Sequence, residues 1–150
     1  MTNEDALAPD AKATGPAPDP ALDALLAAVP FAVELGIELE AAGPEFAGAV
    51  LPWSPRLCTV GGVLHGGALM ALADTAGAVC AFFNLPAGAG TSTVESKTNF
   101  FRAVRSGHVR AEARPLHTGR SFIVIQTDLY DAEGKRVGQT TQTQAVLGTG

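Results

Sequence analysis

The fold is decided by the stretch GGVLHGGALMALADT, residues 61–75. From Gly66 to Phe83 every residue is apolar or small except Asp74 and Thr75, and no polar stripe recurs with a helical period. The pattern predicts a central helix that is buried on all sides and would be ~27 Å long. Asp74 falls near its middle, where a buried carboxylate either finds hydrogen-bond donors or gives up its charge.

The start of this helix is a second candidate for chemistry. The first backbone N–H groups of a helix lack intrahelical partners and carry partial positive charge. Gly66 and Gly67 have no side chain that would keep a ligand from these groups, so a developing oxyanion could be stabilised there. A simpler interpretation stays open, in which the glycines only allow close backbone packing and nearby hydroxyls cap Asp74.

The motif His65-Gly66-Gly67 with Asp74 in the sequence LADTA resembles the acyl-CoA thioesterases of the hotdog fold. The branch most similar contains phenylacetate-degradation thioesterases and one type of 4-hydroxybenzoyl-CoA thioesterase. A second stretch, TNFFRAV followed by GHVRAEA (98–113), is similar to the same branch. The resemblance covers about residues 36–147. It implies an α+β fold, with an antiparallel sheet wrapped around the long helix, and hydrolysis of acyl-CoA.

Length and composition are typical of one globular domain. Residues 1–20 are acidic and rich in Ala and Pro without periodicity, which predicts a flexible tail, and 21–150 would form a single hotdog domain. The net charge of −5 argues against nucleic acid as a partner. The three histidines lie in separate segments, so we expect neither a metal site nor a cofactor.

The compartment is predicted from the thiols and the N-terminus. Cys58 and Cys80 lie among apolar residues without CxxC spacing, which is typical of buried thiols in a reducing compartment. The N-terminus is acidic and lacks the pattern of a secretory signal. The Asp74 carboxylate at its centre and its many Gly and Ala residues argue against the apolar helix as a membrane span. We therefore expect a cytoplasmic protein that does not bind membranes.

The rest of the chain reads as a short helix and six strands, with turn residues between them. The predicted helix covers 22–29, and the predicted strands cover 36–40, 45–51, 91–102, 108–116, 121–130 and 136–147. The last four strands are expected to form a meander, in which each pairs with the next along the chain.

The proposed chemistry needs two groups that one helix cannot bring together. Asp74 could act as nucleophile or general base, and the Gly66 N–H could polarise the carbonyl. Eight residues separate them, which is an axial gap of ~12 Å. Two antiparallel helices from two subunits would close this gap, and the resemblance implies the same arrangement. We expect a homodimer that assembles further into a dimer of dimers.

The resemblance assigns roles to three more residues. It implies that His65 lies beside the thioester, where it either transfers a proton or only orients the glycine-rich turn. Thr59 stands where the family usually has Asn or Gln to hold water or the carbonyl, and its hydroxyl is a shorter substitute. Thr93 matches a position that carries a hydroxyl near the carboxylate, although an ordinary strand residue would look the same.

Binding of coenzyme A is predicted from charge. Residues 97–120 hold six basic residues and one acid, which suits three phosphates but is also compatible with a solvated sheet face. The expected phosphate contacts are Arg102 and the turn that contains Thr118, Arg120 and Ser121. Phe82, Phe83, Leu85 and Trp53 could line an acyl pocket or belong to the core.

Two other functions compete with hydrolysis. A non-catalytic acyl-CoA-binding or sensing protein on the same fold is favoured by Thr59 and opposed by Asp74. A hotdog dehydratase would carry a His-containing motif leading into a Pro-Gly turn, which this sequence lacks. The prediction is therefore an acyl-CoA thioesterase.

Overall fold

The computed structural model describes residues 17–148. Most of the predicted flexible tail, residues 1–16, lies outside this range. Three α-helices and six strands follow in the order α1 Pro20–Ala27, α2 Pro30–Leu35, β1 Glu38–Ala41, β2 Ala47–Pro52, α3 Gly66–Phe82, β3 Gly90–Phe100, β4 His108–Thr118, β5 Phe122–Asp131 and β6 Arg136–Leu147. Asp19 caps α1 by accepting a hydrogen bond from the Ala21 N–H at 2.9 Å.

The six strands form one antiparallel sheet in the order β1-β2-β4-β5-β6-β3. The predicted meander of the last four strands is wrong, because β3 pairs with β6 at the far edge and only β4, β5 and β6 follow one another. The burial patterns explain the difference. β4 turns Val109, Ala111 and Ala113 fully into the core and takes a central position, whereas β3 is exposed along most of its length, as an edge strand can be.

The sheet wraps around α3, and the core lies between them. Leu72, Ala73 and Ala76 of α3 are fully buried, as are Ile123 and Ile125 of β5. The many alanines and glycines of α3 allow the sheet to approach the helix closely, and aliphatic side chains of the strands fill the remaining space.

One side of α3 is not covered, which corrects the prediction that the helix is buried on all sides. Gly67, Met70, Asp74 and Phe82 are exposed, and Ala78 is half-buried. These five positions recur every three or four residues and therefore form one stripe. Met70 is 40% and Phe82 53% exposed, so the stripe is mainly apolar apart from Asp74. The sequence could not show this stripe because its residues are as apolar as the buried ones.

The free edge of β3 lies on the exposed side as well. Val94 is 61% exposed at a bulge, and Phe100 at the end of the strand is 50% exposed. Within residues 17–148 no helix is both long and apolar enough to span a membrane.

Candidate functional site

The start of α3 presents one unused backbone N–H. His65 caps the helix, and its Nδ1 accepts a hydrogen bond from the Gly67 N–H at 2.8 Å. A Cβ at Gly67 would lie only 2.9 Å from this Nδ1, so the cap requires glycine there. The Gly66 N–H donates to no acceptor in the described part of the chain. His65 therefore orients the turn, as one of the two interpretations expected, and leaves the Gly66 N–H open.

A cavity of about 420 Å³ adjoins this helix start. It brings together three residues singled out in the sequence, Thr59, Gly66 and Arg102. Phe100 and Phe101 form an aromatic wall, and a Cβ on Gly66 would lie 3.1 Å from the Phe100 ring. The wall of the cavity thus includes the glycine with the open N–H, a threonine and an arginine beside apolar and aromatic residues, which suits a ligand that carries a carbonyl and a charged tail.

Asp74 lies on the exposed stripe of α3, and one oxygen of its carboxylate is hydrogen-bonded to side chains of the sheet. Its Oδ1 accepts hydrogen bonds from the Gln142 Nε2 at 3.1 Å and from the Thr93 Oγ1 at 3.3 Å. The predicted donors are therefore present, and Thr93 is one of them. Neither donor engages Oδ2, so this oxygen is left for a ligand.

A second layer orients Thr93. The Gln144 Nε2 donates to the Thr93 Oγ1 at 2.8 Å, and the Gln144 Oε1 accepts from the Thr91 hydroxyl at 3.1 Å. Because a lone pair of Thr93 is used by Gln144, its single hydroxyl proton points to Asp74. Sequence reasoning missed both glutamines. The signal was the run QTTQTQ (139–144), which lacks an apolar face although it forms a strand.

An apolar cavity of about 350 Å³ begins at Asp74. It lies between α1, α3 and the start of β3, and Asp74, Thr75 and Thr91 are the only polar residues in its wall. The apolar wall residues are Leu25, Leu26, Ala28, Val29, Ala78, Val79 and Phe82. A carboxylate at the mouth of an apolar cavity is the arrangement expected of a site that binds an apolar group and reacts at its polar end.

Of the four large residues suggested for this pocket, only Phe82 lines it. Phe83 packs edge-on against the Phe82 ring with centroids 5.6 Å apart. Trp53 lies elsewhere, where its Nε1 donates to the Gly62 carbonyl at 3.1 Å and holds the loop before α3. Leu85 packs against the core. Of the two interpretations left open by the sequence, the core one therefore holds for Leu85 and Trp53, and Phe83 does not line this cavity.

The candidate residues fall into two groups at opposite ends of the sheet. The Arg102 N–H donates to the carbonyl of Val137, which is the second residue of β6 and lies at the end of the sheet where α3 starts. The turn of Gly119, Arg120 and Ser121 lies at the other end, since the Val146 N–H donates to the Ser121 carbonyl. Nine residues of β6 separate these contacts, which is ~30 Å. One chain therefore cannot hold one ligand with both arginines.

The basic segment is partly neutralised. Arg110 forms an ion pair with Glu40 at 2.8 Å, and Arg114 pairs with Glu112 at 3.4 Å. These two arginines lie on the solvated outer face, as the simpler interpretation expected. By contrast, Lys97, Arg102 and Arg120 are exposed and form no salt bridge with any residue between 17 and 148. Arg105 forms no salt bridge in this range either, and its side chain donates a hydrogen bond to the Gly61 carbonyl. The exposed turn residues Thr118 and Ser121 flank Arg120.

The Cys80 thiol is not poised for catalysis. Burial raises the pKa of the Cys80 thiol to about 11, despite the nearby Arg114 charge, so the thiol stays protonated at neutral pH. Both cysteines are free. Among the described residues, no three His, Cys, Asp or Glu side chains come close enough to hold a metal ion.

Comparison with known proteins gives consistent matches. Residues 61–138 match the family model of the thioesterase superfamily. The chain is 34% identical over 114 residues to the proofreading thioesterase EntH of Cronobacter turicensis, covering 76% of this chain and 83% of that protein. It is 31% identical over 113 residues to the 1,4-dihydroxy-2-naphthoyl-CoA hydrolase of Escherichia coli, covering 75% and 83%. The crystal structure of a thioesterase from Haemophilus influenzae superimposes with a TM-score of 0.80 at 33% identity, covering 85% and 90%.

Proposed function

This chain belongs to the thioesterase superfamily and is a thioester hydrolase. The sequence-based resemblance and the hotdog fold class are thereby confirmed. We propose that its substrate is an acyl-CoA and that Asp74 is the catalytic carboxylate. The observation that carries the catalytic assignment is the geometry of Asp74. Its carboxylate is exposed, held by two donors on Oδ1 and located at the mouth of an apolar cavity.

The reaction divides between two kinds of group. As general base, Asp74 takes a proton from water while the water oxygen attacks the thioester carbon; as nucleophile, its own oxygen attacks and water then cleaves the acyl-enzyme anhydride. In both cases the C–S bond breaks, the CoA thiolate leaves and is protonated, and the acid is released. The Gly66 N–H stabilises the charge that develops on the carbonyl oxygen.

The site is completed by a second subunit. Gly66 and Asp74 are ~12 Å apart along one helix, whereas the reacting carbon must contact both. The apolar stripe of α3 and the free edge of β3 supply a surface that a second copy can cover. A two-fold axis beside α3 makes the helices antiparallel and aligns the Gly66 end of one subunit with the Asp74 end of the other. Two such dimers form the proposed tetramer.

The same axis gives the coenzyme a binding site. It brings the free Arg102 of one subunit toward the end where the other subunit carries the turn with Thr118, Arg120 and Ser121. These four exposed donors, together with Thr59 and the aromatic wall at Phe100, suit the phosphates and the polar arm of CoA. A cytoplasmic location, where acyl-CoA and reduced thiols coexist, belongs to this proposal.

The cavity at Asp74 defines the acyl group. The ten residues that one subunit contributes to its wall include no basic residue that could pair with a second carboxylate on the substrate, and seven of them are apolar. The substrate is therefore an uncharged aromatic or medium-length aliphatic acyl-CoA, rather than a dicarboxylic one. The size of the cavity, about 350 Å³, falls within the range of small-molecule pockets.

A panel of acyl-CoA esters, assayed by release of the free thiol, tests the proposal. Benzoyl-, phenylacetyl- and octanoyl-CoA should be hydrolysed, and succinyl-CoA should be a poor substrate. With the best substrate, Asp74→Asn should lower kcat at least ~10²-fold without loss of folding, because the amide keeps the shape and loses the base. Asp128→Asn is the matched control, since Asp128 also accepts amide hydrogen bonds but lies away from both cavities. Near-normal activity of a folded Asp74→Asn variant would exclude Asp74 as the catalytic group.

A further inference from the structure

The inward face of β6 carries three of the five buried polar residues in the described part of the chain, the others being Thr75 and Thr127. Thr140, Gln142 and Gln144 are fully or almost fully buried, with exposed fractions of 0%, 0% and 1%. Glutamine is rarely buried completely, because an amide that loses water needs other hydrogen-bond partners. Gln144 satisfies this requirement through Thr91 and Thr93. Gln142 does not: its Oε1 and the Thr127 Oγ1 are the buried side-chain atoms without a hydrogen-bond partner in residues 17–148. Of the two residues, Gln142 is the one that donates to Asp74.

Gln142 uses only half of its amide. Its Nε2 donates to the Asp74 Oδ1 at 3.1 Å, whereas its Oε1 is buried and accepts no hydrogen bond from the described residues. An unpaired buried carbonyl is unfavourable, and an apolar side chain of similar length would avoid it. The amide is therefore a poor choice for stability and a good one for holding Asp74.

The helix is shaped to admit this amide. A Cβ on Gly77 would lie 2.1 Å from the Gln142 Oε1 and 2.6 Å from its Cδ, so only glycine leaves room for the side chain. Gly77 follows Asp74 by three residues, less than one turn of α3, and the Gln142 amide passes over the helix backbone to reach the carboxylate. Glycine inside a helix is itself unfavourable. Two locally unfavourable residues thus coincide at one contact with Asp74.

We propose that Gln142 is a positioning residue for hydrolysis, which with Thr93 fixes the Asp74 carboxylate by Oδ1 and directs Oδ2 toward the thioester. This inference rests on the proposed function of Asp74. The exposed end of an Asp side chain otherwise rotates freely, and both donors engage the same oxygen. Because Oδ1 is fixed by two hydrogen bonds, Oδ2 stays free in a single orientation. A catalytic base that is held in the productive orientation reacts faster than one that must first find it.

The test replaces Gln142 by Met, which keeps the length and removes the donor. We expect kcat to fall ~10-fold or more with KM within about twofold, because alignment and not ground-state binding is lost. The thermal midpoint should be unchanged or higher, since the unpaired Oε1 is removed. Gln139→Met is the matched control: the same strand carries Gln139, whose amide donates to Asp128 at 2.9 Å, away from the site. Its kcat should be unchanged.

A second background separates positioning from a general effect. In Asp74→Asn, the further change Gln142→Met should leave the residual rate unchanged, because the group it positions is gone. A folded Gln142→Met variant with kcat within twofold of wild type would overturn the inference. So would failure of both Gln142→Met and Gln142→Leu to fold, because Gln142 would then be structural. If Asp74→Asn is fully active, the proposed function fails; if it is inactive while Gln142→Met is fully active, only the present inference fails.

Discussion

Gly77→Ala tests the contact between α3 and β6 directly through stability. Alanine gains ~1 kcal/mol over glycine in a helix interior. The added Cβ, however, would overlap the Gln142 amide at 2.1 Å, and Gln142 is fully buried, so its side chain cannot swing into solvent. Overpacking of this kind costs ~1–3 kcal/mol, and the severe overlap places it at the upper end of that range. We therefore expect a net loss of ~1–2 kcal/mol, or about 3–6 °C in Tm.

The sign of the effect should reverse when Gln142 is shortened. In a Gln142→Ala background the overlapping atoms are absent, and the Gly77→Ala methyl enters the space they occupied. The same substitution should then be neutral or stabilising by up to ~1 kcal/mol. The four proteins of this cycle are compared by thermal and urea unfolding at one protein concentration, because the proposed dimerisation would make Tm depend on concentration. A Gly77→Ala variant at least as stable as wild type, or equal effects in both backgrounds, would show that Gly77 is not needed to make room for the Gln142 side chain.

Two further predictions concern Thr59 and the thiol of Cys80. Thr59→Asn, which restores an amide beside Gly66, should preserve or raise kcat in the acyl-CoA assay, and a fall of several orders of magnitude would show that the site depends on the hydroxyl. Cys80 should resist alkylation by iodoacetamide at pH 7 while the protein is folded, because its thiol is buried and its pKa is raised to about 11. Unfolding in urea should expose the thiol to the reagent. Rapid labelling of Cys80 in the native state, located by peptide mass spectrometry, would contradict this prediction.

Much of the architecture could be predicted because periodicity is local. The run of small and apolar residues gave α3 to within one residue of its end at Phe82, and turn residues separated the strands close to their observed bounds. Pairing is not local. β3 was expected beside β4, but it lies beside β6, and which strand becomes an edge depends on how the sheet closes around the helix. No short window of sequence contains that information.

The site was predicted unevenly for a similar reason. Asp74 stood out as a carboxylate within an apolar helix and Gly66 as a glycine at the start of that helix, whereas Thr93 was found only through the family resemblance. Gln142 and Gln144 did not stand out, because both faces of their strand are polar in sequence and nothing indicates which face turns inward. The exposed stripe of α3 was hidden for the opposite reason, since its apolar residues resemble those of the core.

The sharing of each active site, with Asp74 from one subunit and the Gly66 N–H from the other, is the basis of the proposed dimer. Its most direct test is a heterodimer of two inactive variants, Asp74→Asn and Gly66→Pro, isolated with two affinity tags. Proline is compatible with this position: it would be the first residue of α3, it lacks only the N–H in question, and His65 already has a ψ of 136°, which suits a residue before proline. The half-exposed Phe100 ring would have to shift slightly.

With shared sites, one site of the heterodimer carries both lesions and the other carries none. The purified heterodimer should therefore recover about half the kcat of the wild-type dimer, while each parent homodimer remains folded, dimeric and inactive. If Asp74 and Gly66 of one chain acted together, every site would carry one lesion, and a folded heterodimer would stay as inactive as its parents. If the wild-type protein bound acyl-CoA without releasing the free thiol, the proposed hydrolysis itself would be contradicted.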